Sequence, residues 1–343
     1  MKSNHKSLFA RIFKSTDRRR KIQLTCFVVI TFVIVKKRMN NDILSTGTSN
    51  ATANLLYSCP DFQVSAEIDK EQDFYREKNA HLFKNGEPDF SSFRDSPFDA
   101  WSSSYNEVKT RSKDWKLRAF GDNLSGNGNE KIYESACGSG FNLLMTLEIL
   151  AEHRDMRSLS VHGSDYVSAS VNYASQLLAA EAPAGTTVGT LCNADSSNLS
   201  HVPDNSFDLV FTGYIDPMDD PLNIGLSDDE IYDQWVEEVC LKETEVSKKL
   251  RIKSQRIQED WYAKWVTELV RIAKPGKVVI IESVSYPLCT HNITDWGGVD
   301  KEWWLSTAIS RYGWNVDPSS VLIEDYRLNG QRYNVIMRKN QQS

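Results

Sequence analysis

The sequence predicts an α/β fold built on a seven-stranded, mostly parallel sheet flanked by helices. Strand and helix patterns alternate from about residue 131 to the C-terminus, which favours βαβ units. The stretch IYESACGSGFN, from Ile132 to Asn142, has the pattern of a buried strand that runs through a glycine turn into a helix. The last two strand patterns flank Asn329-Gly330, a pair typical of a hairpin, so the final two strands should be antiparallel.

The distribution of charge divides the chain into a basic start and an acidic body. The sequence has 343 residues and a formal net charge of −6. Residues 1–38 contain eleven lysines and arginines against one acid, which leaves a net charge of −16 on the rest. An acidic body repels phosphate backbones, so nucleic acid is not expected as a partner.

A short apolar segment, residues 22–35, lies within the basic start. It is short for a membrane span, and the roughly twenty polar residues before it are unlike the lead of a secretory signal. We expect an uncleaved signal anchor of a single-pass endomembrane protein, with a lumenal body because the heavier basic flank is N-terminal. Two alternatives remain, namely a plastid or mitochondrial presequence and a buried or peripheral helix.

Composition shifts define four regions. Residues 1–38 form the basic tail and anchor, 39–58 a linker, 59–120 a helical N-terminal cap, and 121–343 the α/β domain, in which 241–260 reads as a charged helical insertion. Within the cap, Ser96-Pro97 has the character of a helix start. Strands are expected at 131–135, 159–164, 187–192, 208–213, 277–284, 320–326 and 332–338.

The six cysteines are widely spaced, and none forms a C-x-x-C pair. Neither a metal site nor a disulfide framework is therefore predicted, although a lumenal body would allow one bridge such as Cys59 to Cys289. Four N-x-[ST] sequons fit lumenal exposure and are also frequent by chance; they lie at Asn50, Asn123, Asn198 and Asn292.

The glycine turn differs from the turns that hold phosphates. A dinucleotide fingerprint needs a third glycine where this sequence has Leu143, and no G-K-[ST] follows, which excludes a P-loop. An acid, Glu134, stands at the strand end four residues before Gly138. A carboxylate at this position favours a ligand that carries positive charge.

The sequence ESACGSG resembles the first motif, D/E-x-G-x-G-x-G, of the class I S-adenosylmethionine-dependent methyltransferases. The resemblance implies that Glu134 orients the cofactor's ammonium group and that the backbone of Gly138 and Gly140 passes under its methionyl part. Ala136 replaces the first glycine, which is acceptable where φ is negative.

Three further stretches carry the same resemblance, which covers about residues 131–338. In LSVHGSDYV, Asp165 matches the acid that binds the ribose hydroxyls, or it is a helix N-cap. In LCNADSSNLSHVPDNSFDLVF, Asp195 matches the residue that meets the adenine amino group. In WVTELVRIAKPGKVVIIESV, K-P-G closes the turn before the fifth strand. The resemblance implies a Rossmann-like methyltransferase sheet with S-adenosylmethionine as co-substrate, and it also assigns Cys137, Tyr166 and Ser196 to the cofactor site.

Candidate acceptor-side residues follow the fourth and fifth strands. Tyr214 and Asp216 could position or deprotonate an acceptor, or Asp216-Pro217 could simply open a loop. His291 lies beyond the fifth strand. The aromatic candidates have two interpretations each. Trp101 or Tyr105 would either close over the cofactor or pack within the protein. Trp296, Trp303 and Trp304 would either line an acceptor pocket or pack against the sheet edge.

The expected activity is methyl transfer to a small-molecule acceptor. A thioether acid, as in sulfonium-osmolyte synthesis, and a hydroxyl or amine compound remain open. One alternative is a membrane-anchored methyltransferase of lumenal glycans or peptides. Another is a non-catalytic cofactor-binding interaction module, against which the three acids Glu134, Asp165 and Asp195 speak.

Overall fold

The computed structural model describes residues 56–62, 80–84, 87–90, 93–95, 103–213, 215, 222, 234, 237–290, 297–325 and 331–341. All of them belong to one compact unit, Ala53–Ser343. The basic tail, the apolar segment 22–35 and most of the linker lie outside the described residues. Within the ranges given, the structure has no helix with the length and apolar character needed to cross a membrane.

Seven strands form one sheet, and two short strands near the start form a separate antiparallel hairpin. The hairpin consists of β1 (Phe83–Lys84) and β2 (Glu87–Pro88), and the sheet of β3 (Lys131–Ser135), β4 (Ser160–Asp165), β5 (Thr187–Asn193), β6 (Phe207–Thr212), β7 (Ala273–Ser285), β8 (Val316–Asp325) and β9 (Arg332–Lys339). The order across the sheet is β5-β4-β3-β6-β7-β9-β8. Strands β3 to β7 are parallel, and β9 is antiparallel to both β7 and β8. The predicted sheet with its terminal hairpin is confirmed.

The central strands are apolar on both faces because each face carries a core. Consecutive side chains of a strand point to opposite faces. Ile132, Leu209 and Val278 belong to one core, and the residues that follow them, Tyr133, Val210 and Val279, belong to the other. All six are at most 1% exposed. This double burial explains why the strands read as apolar runs.

In the part of the chain that the structure describes, five helices flank the sheet. They are α1 (Tyr105–Ala119), α2 (Phe141–Arg154), α3 (Ser168–Glu181), α4 (Glu245–Ile272) and α5 (Ala308–Tyr312). Residues of α1, α2 and α3 contribute to the first core, and residues of α4 and α5 to the second. Helix α1 begins with a capping box, since Ser104 and Glu107 exchange side-chain-to-backbone hydrogen bonds. The expected helix start at Ser96-Pro97 lies outside the described residues.

The charged stretch 241–260 is continuous with the helix that precedes β7. A π-helical turn, Glu237–Leu241, leads to Thr244, whose side chain caps α4 by accepting from Ser247 N at 3.1 Å. From Glu245 onward the charged residues form the first half of this 28-residue helix.

The described part of the N-terminal cap is only partly helical. Besides α1 it contains the extended segment 56–62 and the β1–β2 hairpin. Pro88 opposes a continuous helix at the hairpin, because proline lacks a backbone N–H.

Two disulfides correct the expectation for the cysteines. Cys59 is bonded to Cys192 and Cys240 to Cys289, with Cα atoms 5.2 and 5.1 Å apart. The bridge suggested from the sequence, Cys59 to Cys289, is therefore wrong. Sequence spacing does not reveal that the segment 56–62 packs along β5, where the hydroxyl of Tyr57 donates to the carbonyl of Thr190 at 3.2 Å.

Two of the three tryptophans with alternative roles are packing residues. Trp303 and Trp304 are 4% and 1% exposed, and both lie against Trp314. Trp304 Nε1 donates to the hydroxyl of Tyr333 at 2.8 Å. Trp296 lies outside the described residues.

Candidate active site

The turn between β3 and α2 has left-handed backbone at three alternate residues. The φ angles of Ala136, Gly138 and Gly140 are +53°, +51° and +82°. A Cβ on Gly140 would lie 2.9 Å from the Cβ of Ala174, so glycine is required there for packing as well as for φ. The condition under which alanine would replace the first glycine without strain, a negative φ, is not met, because Ala136 has a φ of +53°, a conformation that favours glycine.

Four backbone N–H groups of this turn donate to acceptors within the protein. Ala136 N donates to Ser196 Oγ at 3.0 Å, Cys137 N to Ser164 O at 2.9 Å, Gly138 N to Asp165 Oδ2 at 2.9 Å, and Gly140 N to Cys137 O at 2.9 Å. A phosphate cradle depends on such groups being free to point at the ligand. The geometry therefore agrees with the absence of a dinucleotide or P-loop motif.

Glu134 is the penultimate residue of β3, and only one of its two carboxyl oxygens accepts a hydrogen bond from a described residue. The residue is 1% exposed, and its Oε1 accepts from Asn142 Nδ2 at 2.7 Å. Its Oε2 is buried, and no described residue donates to it. Burial raises the pKa of this carboxyl to about 8. A buried acceptor without a donor is the feature expected where a cationic ligand group binds.

Asp165 ends β4, the strand beside β3, and faces the same turn. Its Oδ1 accepts from Val167 N and its Oδ2 from Gly138 N, both at 2.9 Å. Burial raises the pKa of Asp165 above its ordinary value. Val167, not Asp165, is the N-cap residue of α3. Each carboxylate oxygen retains a second lone pair, so Asp165 could also accept from a ligand.

Asp195 lies in the loop after β5 and is exposed. Its Oδ1 accepts from Ser197 N at 2.8 Å and from Ser197 Oγ at 2.7 Å, which closes a local turn. The carbonyl of Tyr166, a half-buried residue next to Asp165, accepts from Asn193 Nδ2 at 2.8 Å. The loops after β4 and β5 thus meet at the edge of the site.

Ser196 is hydrogen-bonded to the glycine turn, and Cys137 is a buried residue of that turn. Ser196 is 3% exposed, and its Oγ contacts the Oγ of Ser164 at 2.8 Å in addition to accepting from the turn. Cys137 is 5% exposed, and burial raises the pKa of its thiol. The hydrogen bonds of Ser196 give it a structural role at the turn, and the cofactor contacts expected of Ser196 and Cys137 from the sequence stay predictions.

Tyr105 has no accessible surface with which to cover a cofactor, so it does not close over the cofactor as one interpretation of the sequence predicts. It is 0% exposed, its hydroxyl donates to Glu148 Oε2 at 2.9 Å, and its ring packs against Phe93. The packing reading is therefore correct for Tyr105. The other candidate, Trp101, lies outside the described residues.

The acceptor-side candidates Tyr214, Asp216 and His291 also lie outside the described residues, so their roles stay predictions. Their chain positions follow β6 and β7, which are adjacent in the sheet. Of the remaining histidines, His162 lies within β4 and packs against Tyr57 and Phe207. Burial lowers its pKa to about 4, as expected for a structural histidine.

Three site residues were missed by the sequence reasoning. Asn142, in the first turn of α2, donates to both Glu134 and Glu282, and Glu282 is paired with Lys116 of α1. A charged residue at the end of the apolar run VVIIE is a signal that could have identified Glu282. Nothing in the pattern around Lys116 indicates that its side chain is buried.

The strand connectivity decides the fold. Counted along the chain, the seven strands lie in the order third, second, first, fourth, fifth, seventh, sixth, with only the seventh antiparallel to its neighbours, and the glycine turn follows the first strand. This is the class I methyltransferase fold. Two acids, Glu134 and Asp165, lie at the carboxyl ends of adjacent strands of it beside the turn.

Comparisons with solved structures find similar chains at low sequence identity. A S-adenosylmethionine-dependent methyltransferase from Aquifex aeolicus is 15% identical, with 69% of this chain and 98% of that chain covered and a TM-score of 0.36. Phosphoethanolamine N-methyltransferase 1 from Haemonchus contortus, solved with phosphoethanolamine and S-adenosylhomocysteine, is 11% identical (81% and 50% covered, TM-score 0.41). The cyclase SpnF is 13% identical (83% and 100% covered, TM-score 0.44). No family model matches the sequence, and no curated protein matches it.

Proposed function

We propose that the protein is an S-adenosylmethionine-dependent methyltransferase that acts on a small-molecule acceptor. The observation that carries the proposal is the half-satisfied carboxyl of Glu134 at the glycine turn. S-adenosylmethionine fits this site, because its amino-acid part has an ammonium group that would complete Glu134 Oε2. Beside it, a Cβ on Gly138 would meet nothing within 4 Å, so the turn leaves open space above its backbone.

The residues present divide the binding task between them. Glu134 would hold the ammonium group, Asp165 the ribose hydroxyls and Asp195 the adenine amino group. When bound, the cofactor supplies an activated methyl group on a sulfonium. The protein's contribution is then to position the acceptor for in-line attack and to exclude water from it.

The class of acceptor decides whether a base is needed. A thioether carries no proton and needs none, whereas a hydroxyl or ammonium group must lose a proton during or before transfer. Tyr214, Asp216 and His291 are the proposed candidates for positioning or deprotonation. The thioether acid and the hydroxyl or amine compound remain alternative acceptors.

The first test is direct binding. We expect S-adenosylmethionine and S-adenosylhomocysteine to bind to the purified protein in calorimetry, whereas NAD and ATP do not. Glu134→Gln and Asp165→Asn should each weaken binding roughly 10- to 100-fold through loss of a charge-assisted hydrogen bond. A folded protein that binds neither compound would refute the proposal.

An acceptor panel then separates the substrate classes. Thioether acids, hydroxyl compounds and amines are offered with S-adenosylmethionine, and formation of S-adenosylhomocysteine is measured. If a thioether acid is the substrate, Asp216→Asn and His291→Gln should leave the pH dependence of turnover unchanged. If a hydroxyl or amine compound is the substrate, one of these variants should alter the pH profile.

A second candidate is a membrane-anchored methyltransferase of lumenal glycans or peptides. The two disulfides support it, since such bonds persist in oxidising compartments. In this proposal residues 22–35 are the anchor and the body is lumenal, with an organelle presequence as the alternative. Methylation of isolated glycans or secretory peptides, with no turnover of the small-molecule panel, would favour this candidate.

A further inference from the structure

A buried chain of polar side chains links helix α1 to the acid of the glycine turn. Lys116 is 1% exposed, and its Nζ lies 3.0 and 2.9 Å from the two carboxylate oxygens of Glu282. Trp115 Nε1 adds a donor to Glu282 Oε1 at 2.8 Å. Glu282 therefore has its charge balanced by Lys116, and both of its oxygens accept hydrogen bonds.

Asn142 connects this ion pair to Glu134. Its Nδ2 donates to Glu134 Oε1 at 2.7 Å and to Glu282 Oε2 at 3.1 Å. Only the nitrogen side of the amide can donate to two carboxylates, so the network fixes the amide's orientation. A Cβ on Gly213, just after β6, would lie 2.5 Å from this nitrogen, which shows how closely the backbone confines it.

Among the residues that the structure describes, no cation is left for Glu134 alone. The ionisable groups that act on it are Lys116 of α1, Glu282 of β7, Asp165 of β4 and the neighbouring thiol of Cys137. Lys116 is already saturated by Glu282, and the other groups are acids. The buried free carboxyl of Glu134 is thus surrounded by more negative than positive charge, and burial favours its protonated form.

We propose that Lys116, Glu282 and Asn142 are positioning residues for Glu134. Glu282 engages the charge of Lys116, so the buried carboxyl of Glu134 stays protonated in the free protein at neutral pH, while Asn142 holds Glu134 Oε1 in place, and binding of a cationic amino-acid ligand expels one proton. The inference rests on the proposed function and deepens it. When the ligand's ammonium group reaches Glu134 Oε2, the O–H bond breaks, the proton passes to solvent, and a charge-assisted N–H···O contact forms. A ligand without the cation cannot replace the proton, so the site selects for the amino-acid part of S-adenosylmethionine.

The test is calorimetry of S-adenosylmethionine binding at pH 7 in two buffers with different ionisation enthalpies. With a pKa of about 8 in the free protein, we expect the release of about 0.9 proton for each ligand bound. Affinity should rise about tenfold for each pH unit between pH 6 and 7.5. The ligand's own amino group titrates in the upper part of this range, and its contribution is subtracted with Glu134→Gln, which retains it but lacks the carboxyl.

Two variants distinguish a positioning role from a purely structural one. Glu282→Gln leaves the charge of Lys116 unbalanced beside Glu134, so Glu134 should ionise in the free protein and proton release should fall toward zero. Asn142→Ala removes the donor to Glu134 and keeps the Lys116–Glu282 pair, so at pH 8, where the wild type should release about 0.5 proton, proton release should rise toward one while affinity falls. If one variant does not fold, the other still tests the proposal, because their expected shifts are opposite.

Glu148→Gln is the matched control. Glu148 is also buried and bonded to cations, Arg94 and Lys109, but it lies outside the chain of polar side chains that links Lys116 to Glu134. It should retain the wild-type proton release. Binding without proton release by the wild-type protein would overturn this inference alone. Unchanged proton release in both Glu282→Gln and Asn142→Ala would do the same. Failure of the folded protein to bind S-adenosylmethionine would overturn the proposed function as well.

Discussion

At the scale of single residues, Ala136 shows strain at a functional turn. Its φ of +53° costs a residue with a Cβ about 1 kcal/mol relative to glycine. We therefore expect Ala136→Gly to raise the free energy of unfolding by roughly 0.5–1 kcal/mol, measured by urea denaturation. Ala136→Val is the opposing control and should lower it. Equal stability of the three proteins would show that φ at this residue is not limiting.

The buried carboxyl of Glu134 should make the free energy of unfolding of the ligand-free protein fall as the pH rises. The unfolded chain loses this proton near pH 4.5, whereas the folded protein keeps it to about pH 8, so the folded state binds more protons between these values. Stability should therefore fall across this window, by about 3 kcal/mol at pH 7. Thermal unfolding of the wild type and Glu134→Gln from pH 5 to 8 measures the effect. Parallel curves for the two proteins would contradict it.

Single residues also show where sequence reasoning succeeds. Glu134 and Asp165 could be placed because each lies at the carboxyl end of a predicted strand, and parallel strands bring their carboxyl ends to one edge of a sheet. Lys116 could not be placed, because a lysine in a polar helix normally points to solvent. Its burial depends on Glu282, which lies 166 residues away in the chain.

At the scale of elements, the strands were the most predictable part of the molecule. The bounds of β3 to β6 differ from the expected ones by a single residue at most, because apolar runs and their flanking turns are local signals. Strand β7 begins four residues earlier than expected, at Ala273, since the Lys-Pro-Gly segment is taken into the strand as an irregularity, with Gly276 at a φ of +74°. The disulfides could not be predicted, because they depend on which elements are neighbours in space.

The two disulfides should differ in their effect on function. Cys59–Cys192 joins the N-terminal segment to β5, whereas Cys240–Cys289 joins the chain segments that follow β6 and β7, where the acceptor is proposed to bind. By loop length, loss of either should destabilise the fold by about 4–5 kcal/mol.

The functional difference can be measured with paired serine variants. Cys240→Ser with Cys289→Ser should raise the KM for the acceptor and leave cofactor affinity within about twofold. Cys59→Ser with Cys192→Ser is the control and should change stability without selectively raising that KM. A similar KM in both paired variants would show that the second bridge does not shape the acceptor site.

At the scale of the whole molecule, a lumenal body makes a prediction about glycosylation. Of the two sequons in the described part of the chain, Asn198 is exposed. Asn123 is half-buried, and its side chain is engaged with Ala119 O at 2.9 Å and Arg338 at 2.6 Å. We expect glycan addition at Asn198 and not at Asn123, because a glycan needs an accessible amide.

Expression in a secretory cell line tests this expectation. In a background that lacks the sequons at Asn50 and Asn292, Asn198→Gln should abolish a glycosidase-sensitive shift in electrophoretic mobility, whereas Asn123→Gln should not. Absence of any shift would count against a lumenal body and favour the organelle alternative.

The bridge between Cys59 and Cys192 has a consequence for how the molecule responds to proteolysis. It closes a covalent ring that contains the glycine turn, Glu134 and Asp165. A protease that cuts the backbone once anywhere inside this ring produces two fragments that remain one molecule until a reductant is added. Whatever lies upstream of Cys59, including the proposed anchor, would therefore stay attached to the binding site after such a cut, and release would require reduction as well as cleavage.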